Sequence, residues 1–279
     1  MKTILLLTVG AVMGLMGPAE ARSLNAIRES GVLGLCAHPN SLPFANKAGD
    51  PPGFQVELGQ ALARELGVSL RLDWTITQYQ MRSAGCDIVL DVIADREAQG
   101  ETNLRISKPY YRTGVTLAVP TTSQLTSFKG LDEHTKVGVQ VGSMAAMIIG
   151  QRHVPTSTFG FEVDSLEALA NHEIDAAAVT PTVASYFNLT HPDKAVRILN
   201  LDESVADLNW NVVVGMVRPD DALQDVIDQA LQRLTADGTI EFTGAMVSRY
   251  IRRNNRPARH TPAPVQSTAA PASEHPLSC

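Results

Sequence analysis

Aromatic residues are scarce in this chain, at 5% of the sequence with only two Trp. Low aromatic content beside plentiful Ala, Val and Leu fits an α/β protein and disfavours a β-sandwich. Basic residues do not outnumber acidic ones: 23 Lys and Arg stand against 29 Asp and Glu, a net charge of -6, which argues against a nucleic-acid partner. The seven histidines are scattered without metal-ligand spacing and no Cys-x-x-Cys occurs, so no metal site is expected. There is no Gly-x-Ser-x-Gly nucleophile turn. Gly138 and Gly142 do not complete a dinucleotide fingerprint and no Walker lysine follows a glycine loop. No cofactor, no catalytic residue and no enzymatic activity are therefore expected. A short-period repeat is also missing, which excludes a solenoid.

Long apolar runs are missing too, save one at the start. In MKTILLLTVGAVMGLMGPAEA, Lys2 precedes an apolar stretch and Ala19-Glu20-Ala21 has the small-x-small cleavage pattern. This reads as a secretory signal over residues 1–21, cut after Ala21. The stretch is too short to span a bilayer comfortably, so no membrane insertion is expected. The mature chain is expected in a bacterial periplasm. Its length suits two lobes of ordinary domain size.

Cysteine is nearly absent as well: Cys36, Cys86 and Cys279. The compartment permits disulfides, and Cys36 with Cys86 is the internal pair on offer. Against it, Cys36 falls late in one predicted strand while Cys86 opens another. Between parallel neighbours that offset strains the usual Cα separation of roughly 4.4–6.8 Å. The sequence leaves this pairing open.

What is present is a succession of βα units. A short helix over 24–30 ends at Gly31, and strand 32–37 follows. A helix opens at Gly53-Phe54 and stops at Gly67, with Val56, Leu58, Ala61, Leu62 and Leu66 on one face. Strand 68–74 alternates Leu70, Leu72 and Trp74. Residues 78–84 suit a short helix, and CDIVLDVI over 86–93 is a strand covered on both faces. Residues 113–119 form a strand that crosses to a second lobe. The pattern restarts at Lys136 with a strand, a Gly-Ser turn and a helix. Helix 165–172, strand 174–179 and a helix from 182 come next. Strand 210–217 returns to the first lobe, and helix 220–237 closes at Gly238. The expected organisation is lobe 1 over 22–117 and 212–250, lobe 2 over 118–211, and a Pro-rich tail over 251–279 that cannot bury enough to fold alone.

Several segments carry a family resemblance in order: GFQVELGQALARELG, CDIV, SKPYY, VGVQVGS, LEALANHEIDAAAVT and LQRLTADGTIEF. Up to about Tyr250 the chain resembles the periplasmic solute-binding proteins that feed amino-acid ABC transporters. That resemblance implies two Rossmann-like lobes joined by two crossing strands, the type II periplasmic binding protein fold, closing by a hinge on a ligand. LCAHPNSLPFANKAGDPPGF, AGCDIVLDV and ISKPYYRTGVTLAVP resemble more closely a branch associated with quinoprotein alcohol dehydrogenases. Its members are binding-protein-like components encoded beside methanol dehydrogenase.

The resemblance also defines what departs from it. In the amino-acid receptors an arginine before a Pro-Tyr step holds the substrate carboxylate, and an acid after a second-lobe strand grips the ammonium. Here Arg96 lies too far from Pro109 and Arg105 too near. Thr180 stands where the acid is expected and carries no charge. Ser143 matches the helix-start hydroxyl that assists the carboxylate, and equally suits an ordinary N-cap. His38, Asn40 and Phe44 line the exit of the first strand, where open α/β sheets place ligand crevices. Asp91, Asp95 and Arg96 lie where the third strand leaves its sheet. These eight residues are the expected cleft.

The missing zwitterion clamps favour one functional reading. By resemblance the chain is a non-enzymatic accessory factor of a PQQ-dependent methanol dehydrogenase, aiding its maturation or activation. Its cleft then takes a protein segment, and its partners are that dehydrogenase and its cytochrome c. The alternative is the receptor of an ABC transporter for amino acids or other small polar solutes, with a permease as partner. A third reading is a dehydratase on the same fold, with Asp95 or Glu97 as the cleft acid.

Overall fold

The computed structural model describes residues 22–49, 51–94, 104–201, 208–217 and 219–240. Two mixed sheets, each flanked by helices, make an α/β fold of two lobes. In the first, β1 (Val32–Ala37) lies parallel between β4 (Ser69–Trp74) and β5 (Ile88–Ile93). The long β13 (Asn209–Val217) runs antiparallel to β5, to β6 (Leu104–Ile106) and to β7 (Tyr111–Gly114). A two-stranded ribbon, β2 (Asn40–Ser41) with β3 (Ala45–Asn46), projects from the end of β1. Helices α1 (Leu24–Ser30), α2 (Phe54–Leu66) and α7 (Asp221–Ala236) pack on this sheet, burying Ile27, Leu62 and Ile227 against Leu33, Leu35, Ile88 and Met216. A further short helix, α3 (Gln78–Ala84), precedes β5.

The second sheet has the order β10-β9-β11-β8-β12: Thr156–Phe159, Val137–Gln140, Ala176–Val179, Thr116–Val119 and Arg197–Ile198. Its three α/β strands are parallel, while β8 returns antiparallel to β11. Helix α4 (Met144–Gln151) covers one apolar cluster with Leu117, Val139 and Ile149. Helices α5 (Glu162–Ala170) and α6 (Pro181–Thr190) cover another with Leu166, Leu169, Val179 and Phe187. The Ala-rich β11 is buried throughout, as expected of a central strand covered on both faces.

One difference from the sequence reading concerns the crossing. Residues 113–119 read as a single strand, but the backbone leaves the first sheet at Gly114 and enters the second at Thr116. At the junction Val115 N–H donates to the Leu208 carbonyl at 2.8 Å, so outgoing and returning segments are bonded to each other. Gly114 is required there, because a Cβ would lie 2.1 Å from that same carbonyl oxygen. Trp210 lies on the returning strand and packs against cores of both lobes.

Cys36 and Cys86 are joined with a Cα separation of 5.5 Å. The ladder offset anticipated from sequence is real, since Cys36 is level with Val89. It does not prevent the bond because Cys86 lies outside the ladder, in the segment that turns out of α3 through Gly85 at φ 67°. Closing 50 residues of chain contributes about 2–4 kcal/mol.

Next to the cystine, Asp87 is almost fully enclosed and takes bonds from three sides. Arg22 grips it through Nε at 2.9 Å and Nη2 at 2.5 Å, and Gly34 N–H donates at 2.6 Å. The remaining guanidinium donors reach Ser30 Oγ and the Val32 carbonyl. Asp220 similarly accepts from Leu24 N–H while capping α7 through Leu223 N–H. These two carboxylates fasten the first residues after the expected cleavage point to the lobe. Removing the cation strands a buried charge, so Arg22→Met is expected to lower unfolding free energy by about 3 kcal/mol in urea titration of the chain lacking residues 1–21. A loss below about 0.5 kcal/mol would class the pair as an ordinary surface contact.

Candidate functional site

The carboxyl ends of the parallel strands in both sheets converge. From the first sheet comes the loop after β1, carrying His38, Asn40, Pro43 and Phe44. It is pinned to the start of α2, where Phe54 N–H and Gln55 N–H donate to the carbonyls of Pro43 and Phe44 at 3.0 and 2.9 Å. Gly53 makes this approach feasible: its φ is 100°, and a Cβ would meet the Phe44 carbonyl at 2.3 Å. The loop touches the other lobe twice. The His38 ring meets Phe161, just after β10, edge-on with centroids 5.9 Å apart. Phe44 leans edge-on against Phe54 and also packs on the cluster of Leu166, Val179 and Phe187. His38 Nδ1 accepts from Asn40 N–H at 3.1 Å, which leaves the proton of the neutral ring on Nε2. Asn40 itself is exposed and serves the ribbon, pairing with Asn46.

Asp91 anchors the first-lobe wall. Its φ of 59° is left-handed, and β13 shifts register against β5 between Val213 and Gly215, a bulge that re-aims the side chain. Gln55 donates to one carboxylate oxygen; the hydroxyls of Tyr110 and Tyr111 donate to the other at 2.7 and 3.5 Å. Asp91 N–H returns a bond to the Tyr110 oxygen at 3.2 Å, closing a ring. Burial raises the Asp91 carboxyl above the usual carboxylate range, and these three donors only partly oppose it. Burial followed by the Asp91 charge raises both tyrosines, so they remain neutral donors.

Facing this wall is Glu162, in the first turn of α5. Its two oxygens accept Thr180 N–H at 3.1 Å each, and one also accepts the Thr180 hydroxyl at 2.8 Å. Burial raises the Glu162 carboxyl, and the Thr180 bonds hold the rise in check. Its charge reaches Tyr111 on the opposite lobe. Glu162 was invisible to the sequence reading, which began this helix at 165. The signal available was an acid just past Gly160, where the first turn of a helix favours negative charge. The carboxylate that the resemblance called for at Thr180 is thus delivered onto Thr180 from the first turn of α5.

Among the sequence-derived candidates, His38, Phe44, Asp91 and Thr180 contribute to this inter-lobe seam. Ser143 accepts Ala146 N–H at 3.1 Å as the N-cap of α4, the ordinary structural use of a helix-start hydroxyl. Asp95, Arg96 and Glu97 lie outside the described residues. Gln55, Tyr110, Tyr111, Phe161 and Glu162 are additions that follow from three-dimensional placement. No group of His, Cys, Asp and Glu among the described residues is arranged to hold a metal.

A family model for bacterial extracellular solute-binding proteins, family 3, matches residues 33–244. The chain belongs to that family. Among solved structures, this family 3 protein resembles the ancestral amino acid-binding protein AncCDT-1, described as a precursor of cyclohexadienyl dehydratase. The TM-score is 0.65 at 22% identity, over 82% of this chain and 98% of that one. It also resembles an amino acid ABC transporter substrate-binding protein from Streptococcus pneumoniae bound to L-arginine, at TM-score 0.65 and 19% identity over 83% and 96% of the two chains. An ancestral arginine-binding protein bound to arginine aligns at TM-score 0.61 and 20% identity over 80% and 97%. No curated protein matches. The likenesses establish the fold, and no helix among the described residues is long and apolar enough to cross a membrane.

A carboxyl raised in the folded state binds its proton more tightly there than in the unfolded chain. Such a group destabilises the fold above its raised value, and that penalty fades as pH falls toward the ordinary carboxylate range. Asp91→Asn, which tolerates the left-handed backbone, removes the titration. Its stability relative to the native chain is therefore expected to fall as pH is lowered toward the ordinary carboxylate range in urea titrations. A difference independent of pH would contradict the raised value.

Proposed function

We propose that this family 3 protein is the periplasmic, non-enzymatic receptor of an ABC transporter that closes its two lobes on a small polar solute. The observation that carries this reading is the seam itself. Strand ends of both sheets supply polar groups to one cleft, and the lobes communicate through the paired crossing at Val115 and Leu208. Such a crossing suits hinge closure around a ligand. The absence of charge at Thr180, which favoured another role on sequence grounds, loses its force because Glu162 lends its carboxylate to Thr180. Amino-acid binding by proteins of the same fold supports the class of solute. In this reading residues 1–21 are removed on export, 22–117 with 212–250 and 118–211 act as the two moving lobes, and 251–279 is an appended tail.

A second reading, the accessory factor of a PQQ-dependent methanol dehydrogenase, is favoured by two features. The Asp91 carboxylate is already engaged on both oxygens by the protein's own donors. In addition Ile76, Val141 and Phe161, all just beyond sheet-strand ends, are exposed apolar side chains that a protein segment would cover.

Calorimetric titration of the purified mature chain with amino acids, amines and small acids separates the two. The receptor reading expects one solute to bind at about micromolar Kd, near -8 kcal/mol. No solute binding, together with retention of a quinoprotein from periplasmic extract on the immobilised chain, would replace it with the accessory reading.

A further inference from the structure

The ribbon between β1 and α2 reaches from the first lobe onto the second, and it does so with rings. The His38 ring meets Phe161 edge-on at 5.9 Å, and Phe44 packs on the second-lobe cluster that contains Leu166, Val179 and Phe187. A strap can hold two bodies together only if it is stiff, and this one is braced on itself. Asn46 N–H donates to the Pro52 carbonyl and Lys47 N–H to the Pro39 carbonyl, both at 2.8 Å. The Asn46 side-chain amide donates to the Pro51 carbonyl at 3.2 Å.

Its base is tied to the strand that leaves for the other lobe. Gln55 N–H holds the Phe44 carbonyl, and the Gln55 side chain donates to Asp91, which also accepts the hydroxyls of Tyr110 and Tyr111. Tyr111 opens β7, which ends at Gly114 where the backbone crosses. The catch on the second lobe is fixed as well. Phe161 N–H donates to the Asp164 carboxylate at 3.1 Å, and Glu162, next in the chain, accepts the Thr180 hydroxyl at 2.8 Å. The lobes are thus joined covalently at the crossing and by ring contacts at the strap, and only the ring contacts can be made and broken.

We propose that the β1–α2 ribbon is an inter-lobe latch, with His38 and Phe44 on the strap and Phe161 and the Leu166–Phe187 cluster as its catch. It draws the lobes together with the protein's own side chains, whatever occupies the cleft, and so goes beyond the receptor reading. An aromatic pair shifts such an equilibrium by about 2–10-fold, which leaves an open fraction for an occupant to recruit. The apparent affinity for that occupant then depends on the fraction the latch already holds closed.

Small-angle X-ray scattering of the mature chain without solute, native against variants, tests the latch. Phe161→Ala and Phe44→Ala are each expected to raise the radius of gyration, whereas Phe161→Tyr keeps the ring edge and the native radius. Phe44 also leans on Phe54 within its own lobe. Should Phe44→Ala melt early, Phe161→Ala, which removes a ring exposed at the rim, decides together with its Tyr control. A native radius in Phe161→Ala and in every folded Phe44 variant overturns the latch, and a solute that still binds leaves the receptor reading standing. Expanded variants with no solute binding at all support the latch and overturn the receptor reading. Where a solute does bind, Phe161→Ala is expected to weaken it by about 2–10-fold and to enlarge the fall in radius that it causes.

Discussion

The bond between Val115 and Leu208 is the constraint on which the rest of the molecule depends. There the chain passes from one sheet to the other and comes back, and both passages are tied at one level. Gly114 accepts the closeness because it has no Cβ to strike the Leu208 carbonyl. Trp210 then packs against cores of both lobes immediately beside the tie. The two sheets are thereby kept as separate packing units whose strand ends meet at one seam. Had the crossing been a single loose linker, the His38 ring and Phe161 would have no fixed relation.

Each wall of the seam is stiffened by a carboxylate that the fold places where charge is expensive. On one side a bulge in β5 turns Asp91 inward, and Gln55 and two tyrosines absorb its cost. On the other, the first turn of α5 delivers Glu162 onto Thr180. The first arrangement is anchored in the apolar core, since Tyr110 belongs to it and Tyr111 packs against it. Buried acids satisfied by neutral donors alone are a costly feature for a scaffold and a useful one for a cleft.

Much of the scaffold was legible in sequence because it is locally encoded. The helix after Gly53 could be read from its apolar face and its stop at Gly67, and the restart at Lys136 from a strand, a Gly-Ser turn and a helix. The exact place of the crossing was not legible, since residues 113–119 have one continuous apolar pattern and nothing local states which sheet each half joins. The short edge strands β10 and β12 escaped for the same reason: they are too brief to show a period. The site was legible only in part. His38 and Phe44 follow from their position after a strand, and Thr180 from its place at a strand end. Glu162 and the tyrosine pair acquire meaning only when strands distant in sequence become neighbours, and periodicity carries no information about that. The cystine was open for the opposite reason, because strand registry alone made it look too far offset.

If a small polar solute draws the two lobes together at this seam, its binding shrinks the molecule. Small-angle X-ray scattering of the mature chain, with and without each member of a panel of amino acids, amines and small acids, reads that change. One solute lowers the radius of gyration as the lobes close. A radius unchanged by every solute means that the cleft takes no small molecule.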